Sequence, residues 1–245
     1  MLWISSTLCV IAIASAHWLA SKVAMQPDRD QVRWASFGGG AGLAYVFVHL
    51  LPELASHGRA LSEATGMETF APTPITEALL FLIALTGIIL TYSIDVLATH
   101  ERQAGRVAGT LHSLNFAAIS YLYAYSLPSL ISTGLAYGIL FTIAISAHVL
   151  LVDRTIAARH PAIFRTRTRW LGTAALVLGL LHAALLHPVA DLHLAIATAF
   201  LGGGLLMAVF REELPAVNRT RLGWFIAGSV SMTSLLLLAL THTTH

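Results

Sequence analysis

The chain has 245 residues, of which 56% are hydrophobic and 11% charged, with a formal net charge of +2 and a mean hydropathy of +0.74. A soluble domain carries about a quarter charged residues, so the deficit excludes a soluble domain with a large core and points to a chain that faces lipid or a bundle interior. Its one cysteine, Cys9, excludes a disulfide framework and a thiolate-only metal site.

Backbone groups in hydrocarbon must be bonded within the membrane, which leaves helices or a closed barrel. The apolar runs are unbroken and about 20 residues long rather than alternating ten-mers, so the expected class is an all-α multi-pass membrane protein. Eight spans are predicted in a single transmembrane domain covering 1–245: 2–24, 35–55, 77–98, 107–130, 134–156, 170–188, 192–210 and 222–241. Ala14-Ser15-Ala16 resembles a signal-peptide cleavage site, but the first span lacks a basic leader and its apolar run is long, so it reads as a retained helix. Between the fourth and fifth spans, Pro128, Ser129, Ser132, Thr133 and Gly134 predict a tight turn.

The basic residues orient these spans. Lys22, Arg29 and Arg33 fall in the first loop, and Arg102 and Arg106 in the third. Arg154, Arg159, Arg165, Arg167 and Arg169 fall in the fifth, and Arg211, Arg219 and Arg221 in the seventh. Only Arg59 lies in an even-numbered loop. The positive-inside bias then places the odd loops in the cytoplasm and both termini outside, in the plasma (inner cell) membrane.

One element occurs twice. Phe37-Gly38-Gly39-Gly40 opens an apolar run that ends in His49-Leu50-Leu51-Pro52-Glu53, and Leu201-Gly202-Gly203-Gly204 opens another that ends in Arg211-Glu212-Glu213-Leu214-Pro215. The two copies run in opposite directions through the membrane. That is the pattern of an inverted repeat, with spans 1–3 related to spans 6–8 and the pair 4–5 between them, as in many transporters. Glycine triplets also recur in membrane helices because small residues let helices pack closely.

Ionisable residues inside a membrane are costly and usually functional. His49 lies in the second span, Asp95 in the third, His112 with Ser113 and Asn115 in the fourth, His148 and Asp153 in the fifth, and His182 and His187 in the sixth. Neutral imidazole is the commonest metal ligand. A lone histidine is more often a hydrogen-bonding group between helices, but His112 and His148 on consecutive helices make a better ligand pair. Asp95 and Asp153 lie close to cytoplasmic arginines, where structural pairing is expected. The tail Thr241-His242-Thr243-Thr244-His245 reads as solvated.

In order along the chain, these motifs resemble the ZIP (Zrt/Irt-like) family of divalent metal transporters. Gly38-Gly39-Gly40-Ala41-Gly42-Leu43 with His49-Leu50-Leu51-Pro52-Glu53 is similar to that family's second helix. Thr110-Leu111-His112-Ser113-Leu114-Asn115 resembles its fourth-helix motif, and Ala144-Ile145-Ser146-Ala147-His148 the lead-in to its fifth. Gly202-Gly203-Gly204 with Glu213-Leu214-Pro215 resembles its seventh helix. The resemblance covers nearly the whole chain and implies eight helices, a 3+2+3 inverted repeat and both ends outside. It departs from the family where acids are expected: Phe116 stands four residues after His112, and Leu151 and Val152 stand where Pro and Glu would follow His148. Asp153 is one position further, about 100° round the helix, and so does not simply replace the missing acid. The loop between the third and fourth spans is also short, Thr99–Gly105.

The resemblance implies a transporter rather than an enzyme, moving divalent or transition metal ions of the zinc and iron class by alternating access, with no tightly bound cofactor. The implied metal residues are His112, Ser113 and His148. His49, Glu53, Asp153, Glu212 and Glu213 would line the pathway or gates, and Gly38, Gly39, Gly40, Gly202, Gly203 and Gly204 a sliding, helix-packing surface. No Gly-rich stretch runs into Lys and Ser/Thr, so an ion gradient is the expected driving force. The expected partners are the bilayer and metal ions, not nucleic acid, with homodimerisation left open. Three rivals stand: a ZIP-like protein that has lost transport and acts as sensor or partner, a membrane cytochrome with paired histidines on haem, and an intramembrane metal hydrolase, which would need an acid to activate water.

Overall fold

The computed structural model describes residues 1–25, 28–55, 74–100, 107–159, 161–189, 191–213 and 220–243. Side chains are described for all of these except 28–31, 74–77, 95, 98–100, 107–109, 111–112, 155, 158–159, 191, 212–213, 240 and 242–243. Among the described residues all regular structure is helical, with no strand.

The helices, in order, are α1 (Leu2–Val23), α2 (Asp28–Tyr45, passing through a π turn at Val46–Leu50 and on to residue 55), α3 (Pro74–His100) and α4 (Val107–Thr133). There follow α5 (Leu135–Arg159), α6 (Pro161–Ile163, a π turn at Phe164–Thr168, then Arg169–Leu185), α7 (Asp191–Ala208 with a π turn at Val209–Glu213) and α8 (Leu222–Thr243). Six stretches are long and apolar enough to cross a membrane: Leu2–Val23, Val32–Ala55, Leu135–Arg154, Pro161–Leu185, Leu192–Arg211 and Leu222–Ala239. The chain is thus built as an all-α, multi-pass membrane protein. α3 has a shorter apolar stretch, Ala78–Ile94, and α4 is long but interrupted by Asn115, Ser120 and three tyrosines.

Two sequence expectations about boundaries are corrected. The turn placed at Pro128–Gly134 shrinks to Gly134 alone, because α4 continues through Pro128 to Thr133. Proline removes one helical hydrogen bond, but a membrane helix keeps its backbone paired where neighbours allow. Gly134 then joins the two helices, its N–H donating to the Leu130 carbonyl at 3.1 Å and its own carbonyl accepting from Tyr137 N–H at 3.0 Å. The fifth loop is the second correction. Arg154 and Arg159 lie on α5, and Arg165, Arg167 and Arg169 lie on α6, so the basic stretch is almost wholly helical.

Hydroxyls in the apolar runs are absorbed by the helices themselves. Ser6 donates to the Leu2 carbonyl (2.9 Å), Thr7 to Trp3 (2.7 Å) and Thr142 to Gly138 (2.7 Å), each one turn back. The outward face is strongly apolar, with Ile4, Leu8 and Ile11 on α1 and Leu178, Leu181 and Leu185 on α6 all exposed.

Four helix pairs carry most of the packing: α1 with α5, α4 with α6, α2 with α8 and α3 with α7. In the last two pairs glycines set the approach. A Cβ on Gly40 of α2 would meet the Phe225 carbonyl of α8, and one on Gly228 of α8 would meet the Phe37 carbonyl of α2. In the same reciprocal way, a Cβ on Gly203 of α7 would meet the Ala84 carbonyl of α3, and one on Gly87 of α3 the Phe200 carbonyl of α7. Small residues therefore bring two backbones into contact at each crossing. The main core lies inside this frame, with Ile13, Tyr45, Val46, Tyr123, Leu127, Ile145 and Leu176 almost wholly buried.

Candidate functional site

A cavity of ≈ 70 Å³ lies between α4 and α5. α5 lines it with His148, Val149, Val152, Asp153 and Ile156, one stripe at helical spacing. α4 lines it with a second stripe that includes Asn115, Phe116, Ser120 and Tyr123, and Thr91 of α3 and Arg211 of α7 complete the wall. The stripe is wide enough to hold both Val152 and Asp153. Thus the 100° between these neighbours, which argued from sequence against Asp153 standing in for the missing acid, leaves Asp153 on the cavity wall.

Asp153 is fully buried, and its Oδ2 is 2.6 Å from Nδ1 of His17, which is also fully buried. The bond ties α5 to α1. It replaces the pairing with cytoplasmic arginines expected from sequence: the partner of Asp153 is a histidine in the first span. The His17 ring packs edge-on to Phe116 at 5.5 Å, so the residue at the expected acidic position of α4 supports the histidine that holds the carboxylate. Asp153 Oδ1 and His17 Nε2 have no hydrogen-bond partner. A buried carboxylate oxygen without a partner on the wall of a largely apolar cavity is costly unless a cation or donor meets it.

His148 is buried, at 8% exposure, and lies on the same wall, edge-on to Tyr123 at 6.3 Å between ring centroids. Ser113 is on α4 but does not line the cavity. The side chains of His112, Glu212 and Glu213 lie outside the described residues, as do those of Asp95 and His242 and the segment 101–106. Among the described residues, no three His, Cys, Asp or Glu side chains come together in a group that could hold a metal ion. His148, Asp153 and Asn115 share the cavity wall.

His49 and Glu53 form a separate, half-buried pair toward the far end of α2, with His49 Nε2 3.3 Å from Glu53 Oε2. His49 belongs to the π turn of α2; such turns widen a helix locally and recur at functional positions. Its ring stacks on Tyr137 at 5.4 Å and 11° and lies 5.2 Å from Tyr45. Rings then continue inward: Tyr45 to Phe141 at 6.3 Å, Phe141 to Tyr123 at 6.2 Å, and Tyr123 to His148. Tyr45, Phe141 and Tyr123 are each 2% exposed, so packed aromatic rings fill the way from the His49–Glu53 pair to the cavity.

No protein-family model matches the chain, and no curated protein registers as similar to it.

The glycines divide by role. Gly40 and Gly203 face backbone, whereas Gly38 faces the Leu151 side chain, and Gly202 and Gly204 have room for a methyl against Leu50 and against Ile119 and Thr91. Gly39 is buried. Sequence reasoning passed over His17, although the rule that singled out the other histidines inside apolar spans applies to it equally. It also passed over the pair formed by the Tyr121 hydroxyl and His182 Nδ1, which joins α4 to α6.

Proposed function

We propose that the chain is a ZIP-like transporter of divalent or transition metal ions, driven by an ion gradient, with its transport site in the cavity between α4 and α5. The observation that carries this reading is the fully buried Asp153, whose Oδ1 lacks a partner on a wall shared with His148 and Asn115. It supplies the negative charge that Phe116 and Val152 do not. One carboxylate, one imidazole and an amide oxygen suit zinc or iron better than a hard, fully oxygen-ligated cation. Asp153 and His148 would ligate the ion with Asn115, and His112 remains a ligand in this reading. His17 would orient Asp153, as outer partners orient metal carboxylates.

The helix pairing supports the eight-span, 3+2+3 inverted-repeat reading. Exchanging spans 1–3 with 6–8, and 4 with 5, turns the α1–α5 pair into α6–α4 and the α2–α8 pair into α7–α3, which are the four dominant pairs. The register improves on the one read from the glycine triplets. The separation that carries Val46 to Val209, where the two π turns begin, also carries Phe37 to Phe200, Gly40 to Gly203 and Pro52 to Pro215. Aligning Gly38 with Gly202 is off by one. In the better register Glu212 is the counterpart of His49, so each mouth of the pathway has a polar residue in its π turn.

Alternating access would then work as follows. His49 and Glu53 receive the ion outside, and the packed rings of Tyr45, Phe141 and Tyr123 keep that side shut while the cavity is in use. Release proceeds past Arg211 toward Glu212 and Glu213, with the α1, α4, α5, α6 unit moving against α2, α3, α7, α8. The alternative is a ZIP-like protein that senses or binds without transport. It draws on the apolar Phe116 and Val152 and on the His17 bond already held by Asp153. Flux of Zn²⁺, Fe²⁺, Mn²⁺ and Cu⁺ into proteoliposomes decides between them. Transport predicts uptake of at least one ion that falls about tenfold or more in Asp153→Asn or His148→Ala, as loss of one metal ligand or its support costs ~10–100-fold. No uptake of any ion, or uptake untouched by both changes, refutes it.

A further inference from the structure

On the outer surface of α1, Ile11, Ala14, Ser15, Trp18 and Leu19 line an open groove. These positions form one face of the helix, and Ile11 to Leu19 spans about 12 Å along its axis. Trp18 closes the groove at the α6 end. Its indole N–H donates to Thr173 Oγ1 at 3.3 Å, and Trp170 packs edge-on to it at 4.9 Å. The Arg169 guanidinium lies over the Trp18 ring, 4.2 Å from its centroid. Trp18 and Trp170 are 38% and 54% exposed. Tryptophans so placed, near one end of apolar helices, mark the headgroup level of a bilayer.

The charge at this corner has one sign. Lys22 follows Trp18 by one turn on α1, and Arg165 and Arg167 stand exposed on the π turn that precedes Arg169. No acidic residue is interspersed from Pro161 to Leu185. Arg169 Nε, moreover, is buried and has no hydrogen-bond acceptor. A guanidinium stacked on an aromatic ring keeps its edge donors available for a planar or tetrahedral anion.

We propose that this corner binds one anionic phospholipid: its phosphate meets Arg169 and the neighbouring Arg165, Arg167 and Lys22, and an acyl chain lies in the groove against Trp18 and Ile11. The apolar groove explains why the ligand carries a hydrocarbon chain, and the basic cluster why its headgroup is anionic. Juxtamembrane basic residues are drawn to anionic lipids in general. The stacking of the Arg169 guanidinium on Trp18, which itself lines the groove, makes this a single site rather than a diffuse attraction. The site joins α1 to α6, so a bound lipid would clamp the two helices together at the end where His17 holds Asp153. The proposal does not depend on metal transport.

The test uses the full chain in phosphatidylcholine vesicles containing a small fraction of lipid brominated in its acyl chains, carried by either phosphatidylglycerol or phosphatidylcholine. Bromine quenches tryptophan by contact. The expected result is at least twofold more quenching by brominated phosphatidylglycerol than by brominated phosphatidylcholine. That excess should vanish in Trp18→Phe/Trp170→Phe, which removes both tryptophans of the corner, and remain in Trp34→Phe, which alters an exposed tryptophan on α2. Arg169→Gln should remove it too, at unchanged helicity by circular dichroism. Should that variant misfold, Arg165→Gln/Arg167→Gln gives the weaker loss expected of the outlying charges. Inorganic phosphate added at millimolar concentration should leave the excess in place, because the acyl chain holds the lipid. Equal quenching by the two lipids, an excess that survives Trp18→Phe/Trp170→Phe, or an excess abolished by phosphate overturns the proposal.

Discussion

Three adjacent glycines in α7 should respond very differently to the same methyl group. At Gly203 the added Cβ would run into the Ala84 carbonyl oxygen and lie 3.0 Å from the Ala84 Cα. These are backbone atoms of α3 that cannot rotate away. The helices must separate, at a cost near the upper end of the ~1–3 kcal/mol seen for overpacking. At Gly202 the Cβ would lie 3.5 Å from Leu50, and at Gly204 3.5 Å from Ile119 and Thr91, all ordinary contacts. There the helix gains up to ~1 kcal/mol from replacing glycine with alanine. Gly203→Ala takes the same gain, so its net loss is ~2 kcal/mol and it should fall ~3 kcal/mol below its neighbours, roughly a hundredfold in the unfolding equilibrium. Unfolding in mixed micelles by titration with sodium dodecyl sulfate, followed by helical circular dichroism, measures each. Three variants of equal stability, or a Gly203→Ala protein as stable as the parent, would refute the backbone contact between α3 and α7.

The His17–Asp153 bond predicts coupling between two helices 136 residues apart in sequence. A double-mutant cycle on His17→Ala and Asp153→Asn in the same unfolding assay should give a coupling energy of ~1.5–3 kcal/mol, the range for hydrogen bonds to charged groups; additivity would mean the bond does not form. Topology gives a further prediction: in a Cys9→Ala background, Arg59→Cys should react with a membrane-impermeant maleimide applied to intact cells, and Arg102→Cys only after lysis. The reverse pattern would invert the chain.

The fold class and most helix positions were legible in the sequence because they depend on local quantities. Long apolar runs with few charges must be helices in a bilayer, and glycines mark where two of them touch. The misplaced boundaries share one cause. Pro128 and the arginines of 154–169 are signals that end helices or spans in water, yet both sit inside continuous helices here, since a membrane helix need not stop where its apolar run does. Within the site, His148 and Asp153 were both visible as ionisable groups in or beside a span. The partner of Asp153 was not, because a bond from α1 to α5 leaves no periodic trace in either segment.

By itself the sequence determined that this chain is built of helices apolar and long enough to cross a membrane, and that ionisable side chains lie within or beside several of them. Each follows from composition or spacing within one segment. Tertiary structure decided which glycines hold backbones together and which partner a buried carboxylate takes. Those depend on how helices distant in sequence cross, and it is the crossing of α1 and α5 that sets the carboxylate of Asp153 against His17 while leaving its second oxygen unpartnered on the wall of the cavity.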